Sequence, residues 1–291
     1  MFVKKEAVLR KIPNINSDII DILDVNCEVS VLGKTVNNSQ NEEYIKVKVN
    51  ETVGYVISSS LSDDKLNVKN RLKSMSKENK IKIYLEVKKI LNQNTSYSSK
   101  LNNKYYDSGK TRGNGYYNIP YLEKQLNEEY FSYDCSSLCC TIINRVFNKD
   151  MTKNDEEQTK IEIIDNEYYK NLWVTKDFLE NALLDDKADK KIFKMIEHIK
   201  NSGEEIDVFN MEIGDLLVGI IDFENEKHNK KFIMNHIMIY IGDGYVAHAS
   251  YTNGDIVFNR VLVTKLLNGF YTKLGFERRF DKEIALIRYI D

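Results

Sequence analysis

Asn235-His236-Ile237-Met238-Ile239-Tyr240-Ile241-Gly242-Asp243-Gly244-Tyr245-Val246-Ala247-His248-Ala249-Ser250 is the stretch on which the fold turns. Two β-branched and aromatic runs around a Gly-Asp-Gly break predict strand, turn, strand. If all three turn residues form the loop, pairing sets Tyr240 opposite Val246 and Met238 opposite His248. His236 is then a diagonal neighbour of His248 on one face, about 7 to 8 Å away and within reach of a second imidazole. A two-residue loop would slip the register by one and send His248 to the other face. The first register is the expectation, and it turns Ile237, Ile239 and Ile241 into the core. A lone histidine among apolar residues is more often a satisfied core or surface group than a catalyst. The chain has four histidines: His198 falls in a Lys-rich run read as helical and His228 in a charged loop, both typical solvated positions. The hairpin pair is left as the chemical candidate.

Upstream, Tyr133-Asp134-Cys135-Ser136-Ser137-Leu138-Cys139-Cys140 opens a stretch in which Leu138, Cys139, Ile142, Ile143, Val146 and Phe147 share one face. Those offsets predict a buried helix. Asp134 can cap it, which puts Cys135 in the first turn, where unpaired backbone N–H groups and the helix dipole favour a thiolate. Cys139 and Cys140 read as small core residues. Taken alone, the helix leaves Cys135 either a nucleophile or another such filler. Three of the four cysteines cluster here, unlike the dispersed spacing of a disulfide framework, so reduced thiols are expected.

Toward the N-terminus, short apolar runs at Val29 to Leu32, Tyr44 to Val49 and Gly54 to Ile57 predict a small all-β unit. From Ser62 to Lys80 the composition turns polar and charged, the signature of a linker. The expected organisation is residues 1–62, a linker at 63–80, and a second domain at 81–291. Ser76 caps a predicted amphipathic helix, Lys77 to Asn92, whose inward positions are read as Ile81, Tyr84, Leu85, the Lys88 stem and Leu91. Asn94 to Asn118 lacks periodicity and reads as an extended loop. With 42 basic and 44 acidic side chains the net charge is -2, which supplies no basic field for a nucleic acid. The longest apolar runs, such as Ile237 to Ile241, are far shorter than the roughly 20 residues of a membrane-spanning helix, so no membrane insertion is expected. Met1 to Arg10 lacks the apolar stretch of a secretory signal, which suggests phage-type release or a trimmed leader.

Two resemblances attach to these residues. Val8-Leu9-Arg10, Val29-Ser30-Val31-Leu32-Gly33, Tyr44-Ile45-Lys46-Val47 and Gly54-Tyr55-Val56 resemble, in order and spacing, the bacterial SH3-like domains of wall enzymes, with Tyr44 where that family often carries Trp. Asp134-Cys135-Ser136, Ile213-Gly214-Asp215-Leu216-Leu217 and the His236 to Ser250 hairpin resemble the NlpC-type cysteine peptidases. This second likeness spans roughly Lys77 to Asp291, with Arg279 to Ile290 as the closing strand. Together they imply an α+β fold: a papain-like catalytic domain, helices packed on an antiparallel sheet, behind a small all-β SH3-like barrel. They also imply a Cys-His-polar triad of Cys135, His236 and His248. The reaction implied is cleavage of bacterial peptidoglycan stem peptides, commonly between D-glutamate and a diamino acid, with no cofactor and no metal.

By the same resemblance Asp134, Ser136 and Tyr97 help hold the substrate. Ser137 replaces the glycine usual in the nucleophile motif, and the distance from Tyr97 to Cys135 is too long for the family, with Ser98 to Tyr130 reading as an insertion. The expected chemistry has His236 take the Cys135 proton, His248 orient His236, and the Cys135 backbone N–H stabilise the oxyanion of an acyl transfer. The expected setting is a monomer acting at the cell wall or outside the cell, in the manner of a phage or prophage lysin. Three rivals compete with this. One is an N-acetylmuramoyl-L-alanine amidase or transpeptidase on the same fold. Another is a non-catalytic wall-binding protein. The third is a zinc site at Cys135, His236 and His248, which lacks paired short-spaced ligands and a fourth donor.

Overall fold

The β-rich runs of the first sixty residues, separated by Asn- and Ser-containing turns, pair locally. A computed structural model describes residues 1–37, 42–67, 75–92, 94–96, 130–132, 135–151, 162–164, 167–169, 173, 175–199, 208–225, 230–249, 261–265 and 283–290. Its N-terminal strands are β1 (Phe2–Val3), β2 (Ala7–Arg10), β3 (Ile19–Leu23), β4 (Ser30–Val31), β5 (Val36–Asn37), β6 (Glu43–Val49), β7 (Thr52–Ile57) and β8 (Leu61–Ser62). An antiparallel sheet runs β3-β2-β7-β6-β4 with β5 also on β6, and β1 pairs with β8. The runs at Val8, Tyr44 and Gly54 are thus strands as expected, while Val29 to Leu32 yields only the two residues of β4. Ile19-Ile20-Asp21-Ile22-Leu23 has no clean alternation, so β3 carries no period-two signal in the sequence.

Helix α1 (Lys77–Leu91) begins within the stretch read as linker, and the Ser76 hydroxyl accepts from the Asn79 N–H at 3.2 Å, the expected cap. Its buried stripe overlaps the expected one, with Tyr84 buried and Ile81 and Leu91 partly buried against the core. Lys80, Ile83, Tyr84, Val87 and Ile90 face inward, whereas Leu85 is 46% exposed. The Lys80 ammonium lies between two buried carboxylates, Glu6 at 2.5 Å and Glu212 at 3.0 Å.

The expected loop from Asn94 opens with strand β9 (Asn94–Ser96), paired in parallel with β10 (Tyr130–Ser132); residues 97–129 lie outside the described residues. Then follow α2 (Cys135–Phe147), β11 (Glu162–Ile164), β12 (Glu167–Tyr169), α3 (Thr175–Ala182) and β13 (Phe193–Ile199). The chain ends in β14 (Leu216–Asn225), β15 (Lys230–Tyr240), β16 (Tyr245–Ala249), β17 (Val261–Lys265) and β18 (Glu283–Tyr289). The second sheet is antiparallel in the order β13-β18-β14-β15-β16-β17. His198 corrects the sequence reading: it lies in β13 opposite Ala285, half-buried, and not in a helix. The Lys-rich composition favours a helix locally, and pairing with β18 overrides it. Among the described residues no helix is long and apolar enough to cross a membrane.

Period two along the strands gives this sheet two faces. On one, Val218, Ile237, Ile239 and Ile287 join Ile83 and Val87 of α1, Leu138 and Ile142 of α2 and Phe178 of α3 in a core that also takes in Val8, Ile22 and Tyr44. One apolar core therefore runs from the N-terminal sheet into the second. On the other face Leu217, Met238, Tyr240, Val246 and Leu286 form a separate cluster.

A chain of buried charges accompanies the shared core. Glu6 binds Lys80 and accepts from the Ile213 N–H; Glu212 bridges Lys80 to Arg288 at 2.9 Å; and the Arg288 fork meets Asp215 at 2.7 and 2.8 Å. Burial pushes the Glu6 carboxyl up to about 7, against the pull of Lys80. The native state thus binds the Glu6 proton more tightly than the unfolded chain. Its contribution is present below about pH 4.5 and is lost as the pH rises through 7. Glu6→Gln is expected to flatten the fall in stability between those limits, read from urea midpoints at pH 5 and pH 7. Gly214 ends this chain with φ of +97°, and an added Cβ would lie 2.5 Å from the Ile83 Cδ1. Gly214→Ala is expected to cost about 1–3 kcal/mol in the same measurement.

Candidate active site

The hairpin forms in the expected register. Gly242, Asp243 and Gly244 all have positive φ, +88°, +56° and +85°, a conformation glycine adopts without strain and Asp tolerates. The Ile241 N–H donates to Tyr245 O at 2.9 Å and the Tyr245 N–H to Gly242 O at 2.8 Å, so the three residues are the loop. Tyr240 stands opposite Val246 and Ile239 opposite Ala247. His236 and His248 consequently share a face, with Nε2 of His236 3.0 Å from Nδ1 of His248 and the rings at 80° to each other. Both are buried, His248 completely. One ring nitrogen of the pair donates and the other accepts, so each ring fixes the tautomer of the other.

Cys135 is the first residue of α2 and is half-buried, whereas Cys139 and Cys140 one turn on are wholly buried. The expected apolar face of this helix packs on the sheet, and α2 lies against both β15 and β16. The helix occupies the isoleucine face of β15, and alternation places the two imidazoles with Met238, Tyr240 and Val246 on the other. The β15–β16 ladder ends at the Ile239–Ala247 rung. The structure thus brings His236 and His248 into contact and seats Cys135 at the start of the helix packed on their two strands.

Of the remaining predicted residues, Ser136 is buried in the first turn of α2, and Ser137, in the place of the expected glycine, is wholly buried with its carbonyl accepting from Thr141 Oγ1 at 2.7 Å. Asp134 and Tyr97 lie outside the described residues. Among the described residues, no three His, Cys, Asp or Glu side chains gather into a metal-holding group. The sequence reading missed Asp243, taken only as a turn residue. It is wholly buried and paired with Arg10 at 2.6 Å, and no local pattern signals a partner that remote.

Under native conditions, iodoacetamide is expected to label Cys135 and the half-buried Cys27 and to spare Cys139 and Cys140. Peptide mass spectrometry before and after denaturation checks this.

Comparison with known proteins gives one family. The NlpC/P60 family model matches residues 123–273, which include Cys135, His236 and His248. No curated protein matches the chain. Among solved structures it is similar to NlpC2 and NlpC1 from Trichomonas vaginalis, each at 16% identity over 99% of this chain. The matches cover 71% and 68% of those chains, with TM-scores of 0.27 and 0.30.

Proposed function

The chain belongs to the NlpC/P60 family, whose members are generally cell-wall cysteine peptidases, and from that premise we propose that it is a peptidoglycan endopeptidase acting through Cys135, His236 and His248. The observation that carries the reading is the 3.0 Å contact between Nε2 of His236 and Nδ1 of His248, on the strands against which the Cys135 helix packs. In this reading His248 accepts from Nε2 of His236, which leaves Nδ1 of His236 to act as the base. The Cys135 proton passes to it, and the thiolate is favoured by its seat at the helix start. The thiolate attacks the carbonyl carbon of an amide in the stem peptide, and the tetrahedral oxyanion is met by the Cys135 backbone N–H. His236 returns the proton to the departing amine, leaving a thioester. Water, deprotonated by the same ring, hydrolyses the thioester and restores the thiol.

The bond assigned is that between D-glutamate and the diamino acid, with Asp134, Ser136 and Tyr97 holding the stem, as the family resemblance implies. The N-terminal sheet is read as an SH3-like domain, on the support of strands β2, β6 and β7 at the places that family requires. The setting proposed is the cell wall, with release of the phage or prophage type.

Purified muropeptides incubated with the full chain and separated by mass are the test. Fragments cut within the stem are expected, and intact stems freed from the sugar would instead identify an amidase. Cys135→Ala is expected to abolish release while wall binding persists. His248→Ala is expected to lower kcat about a hundredfold with little change in KM. Full activity of Cys135→Ala would sink the nucleophile assignment.

A further inference from the structure

Asp243 takes no part in the chemistry just described, and the tip of a hairpin is ordinarily a solvated place. Here its carboxylate is wholly buried. The groups that hold it come from the N-terminal sheet and the turn that follows, 183 to 235 residues away along the chain. Arg10 Nη1 donates to it at 2.6 Å, Ser60 Oγ at 3.0 Å and the Val8 N–H at 3.4 Å. The Asp243 N–H in turn donates to Glu6 O at 2.8 Å. The grip acts on the central residue of the loop, at φ of +56°.

That loop decides the register. Three residues in it put His236 and His248 on one face, and two would separate them. A slip would also withdraw the carboxylate from Arg10, itself 1% exposed, and leave opposite charges apart in a buried site. We propose that Asp243 and Arg10 are positioning residues: by gripping the hairpin tip, the N-terminal sheet fixes the register that makes the His236–His248 contact. The effect on the thiol rests on the peptidase reading above; the effect on the two rings does not. A second tie supports the same strand ends, since Gly214 N–H donates to Tyr240 O, Tyr240 N–H to Asp215 O, and Gly244 N–H to the Tyr240 hydroxyl.

The experiment uses the full chain in four forms: wild type, Arg10→Met with Asp243→Asn, Ser60→Ala, and Arg10→Lys. Two readouts are taken across pH, the ring nitrogen NMR shifts of His236 and His248 and the alkylation rate of Cys135 by iodoacetamide. In the double variant the rings are expected to titrate independently, and alkylation at pH 6 to fall about tenfold, the loss for one unit of thiol pKa. Ser60→Ala removes one hydrogen bond and leaves no charge unpaired, and is expected to move both readouts the same way, by about threefold in rate. Arg10→Lys keeps the charge and is expected to behave as wild type. A folded double variant with coupled rings and unchanged alkylation overturns the proposal. If the double variant does not fold, Ser60→Ala decides: wild-type behaviour in both readouts overturns the proposal. Arg10→Lys behaving like the double variant would overturn the charge-based grip. A wild-type Cys135 that alkylates as an ordinary thiol sinks the peptidase reading, while the ring titrations still decide the grip.

Discussion

Side chains along a β-strand alternate, and that period of two is the constraint on which the candidate site depends. It leaves no intermediate positions: one residue more or fewer in the 242–244 loop and the imidazole of His248 changes sides. The loop residues are chosen for the conformation this demands, two glycines and an aspartate, all left-handed. The strands need the isoleucines on one face for the core and the histidines on the other for contact with each other. Core and chemistry are thus written into the same eleven residues of β15, at alternate positions.

The second organising element is ionic. Burying charges is costly, and a pair in the interior rarely stabilises a fold more than well-packed apolar groups of the same shape would; what it supplies is a penalty for every other arrangement. Lys80 between Glu6 and Glu212, Arg288 between Glu212 and Asp215, and Arg10 on Asp243 link the N-terminal sheet, α1, the entry to β14 and the closing strand. Among the described residues, Nε of Arg10 is buried without a hydrogen-bond partner, while Nη1 meets Asp243 and Val8 O. Together with the common apolar core, these pairs bind the two sheets into one packed body.

Much of this was legible locally. The Gly-Asp-Gly break announced the hairpin and its register, the offsets from Leu138 to Phe147 announced α2, and Ser76 announced the start of α1. Each of these signals lies within a few residues of its structural consequence. What was not legible depends on partners far along the chain. Lys80 gives no local signal of burial until Glu6 and Glu212 are brought to it. His198 sits in a run of helical composition that becomes a strand because β18 is there to pair with it. Asp243 looked like any turn residue, since Arg10 is 233 positions away.

A chain made of separable units can be cut and rejoined at its linkers. This chain does not divide so cleanly. A chimera that kept residues 81–291 and grafted on a foreign N-terminal unit would inherit Asp243 without Arg10, and Glu212 with Arg288 but without Lys80. Carboxylates now enclosed would be stranded at a new seam. Exchange of the front unit would need matching charges transplanted with it.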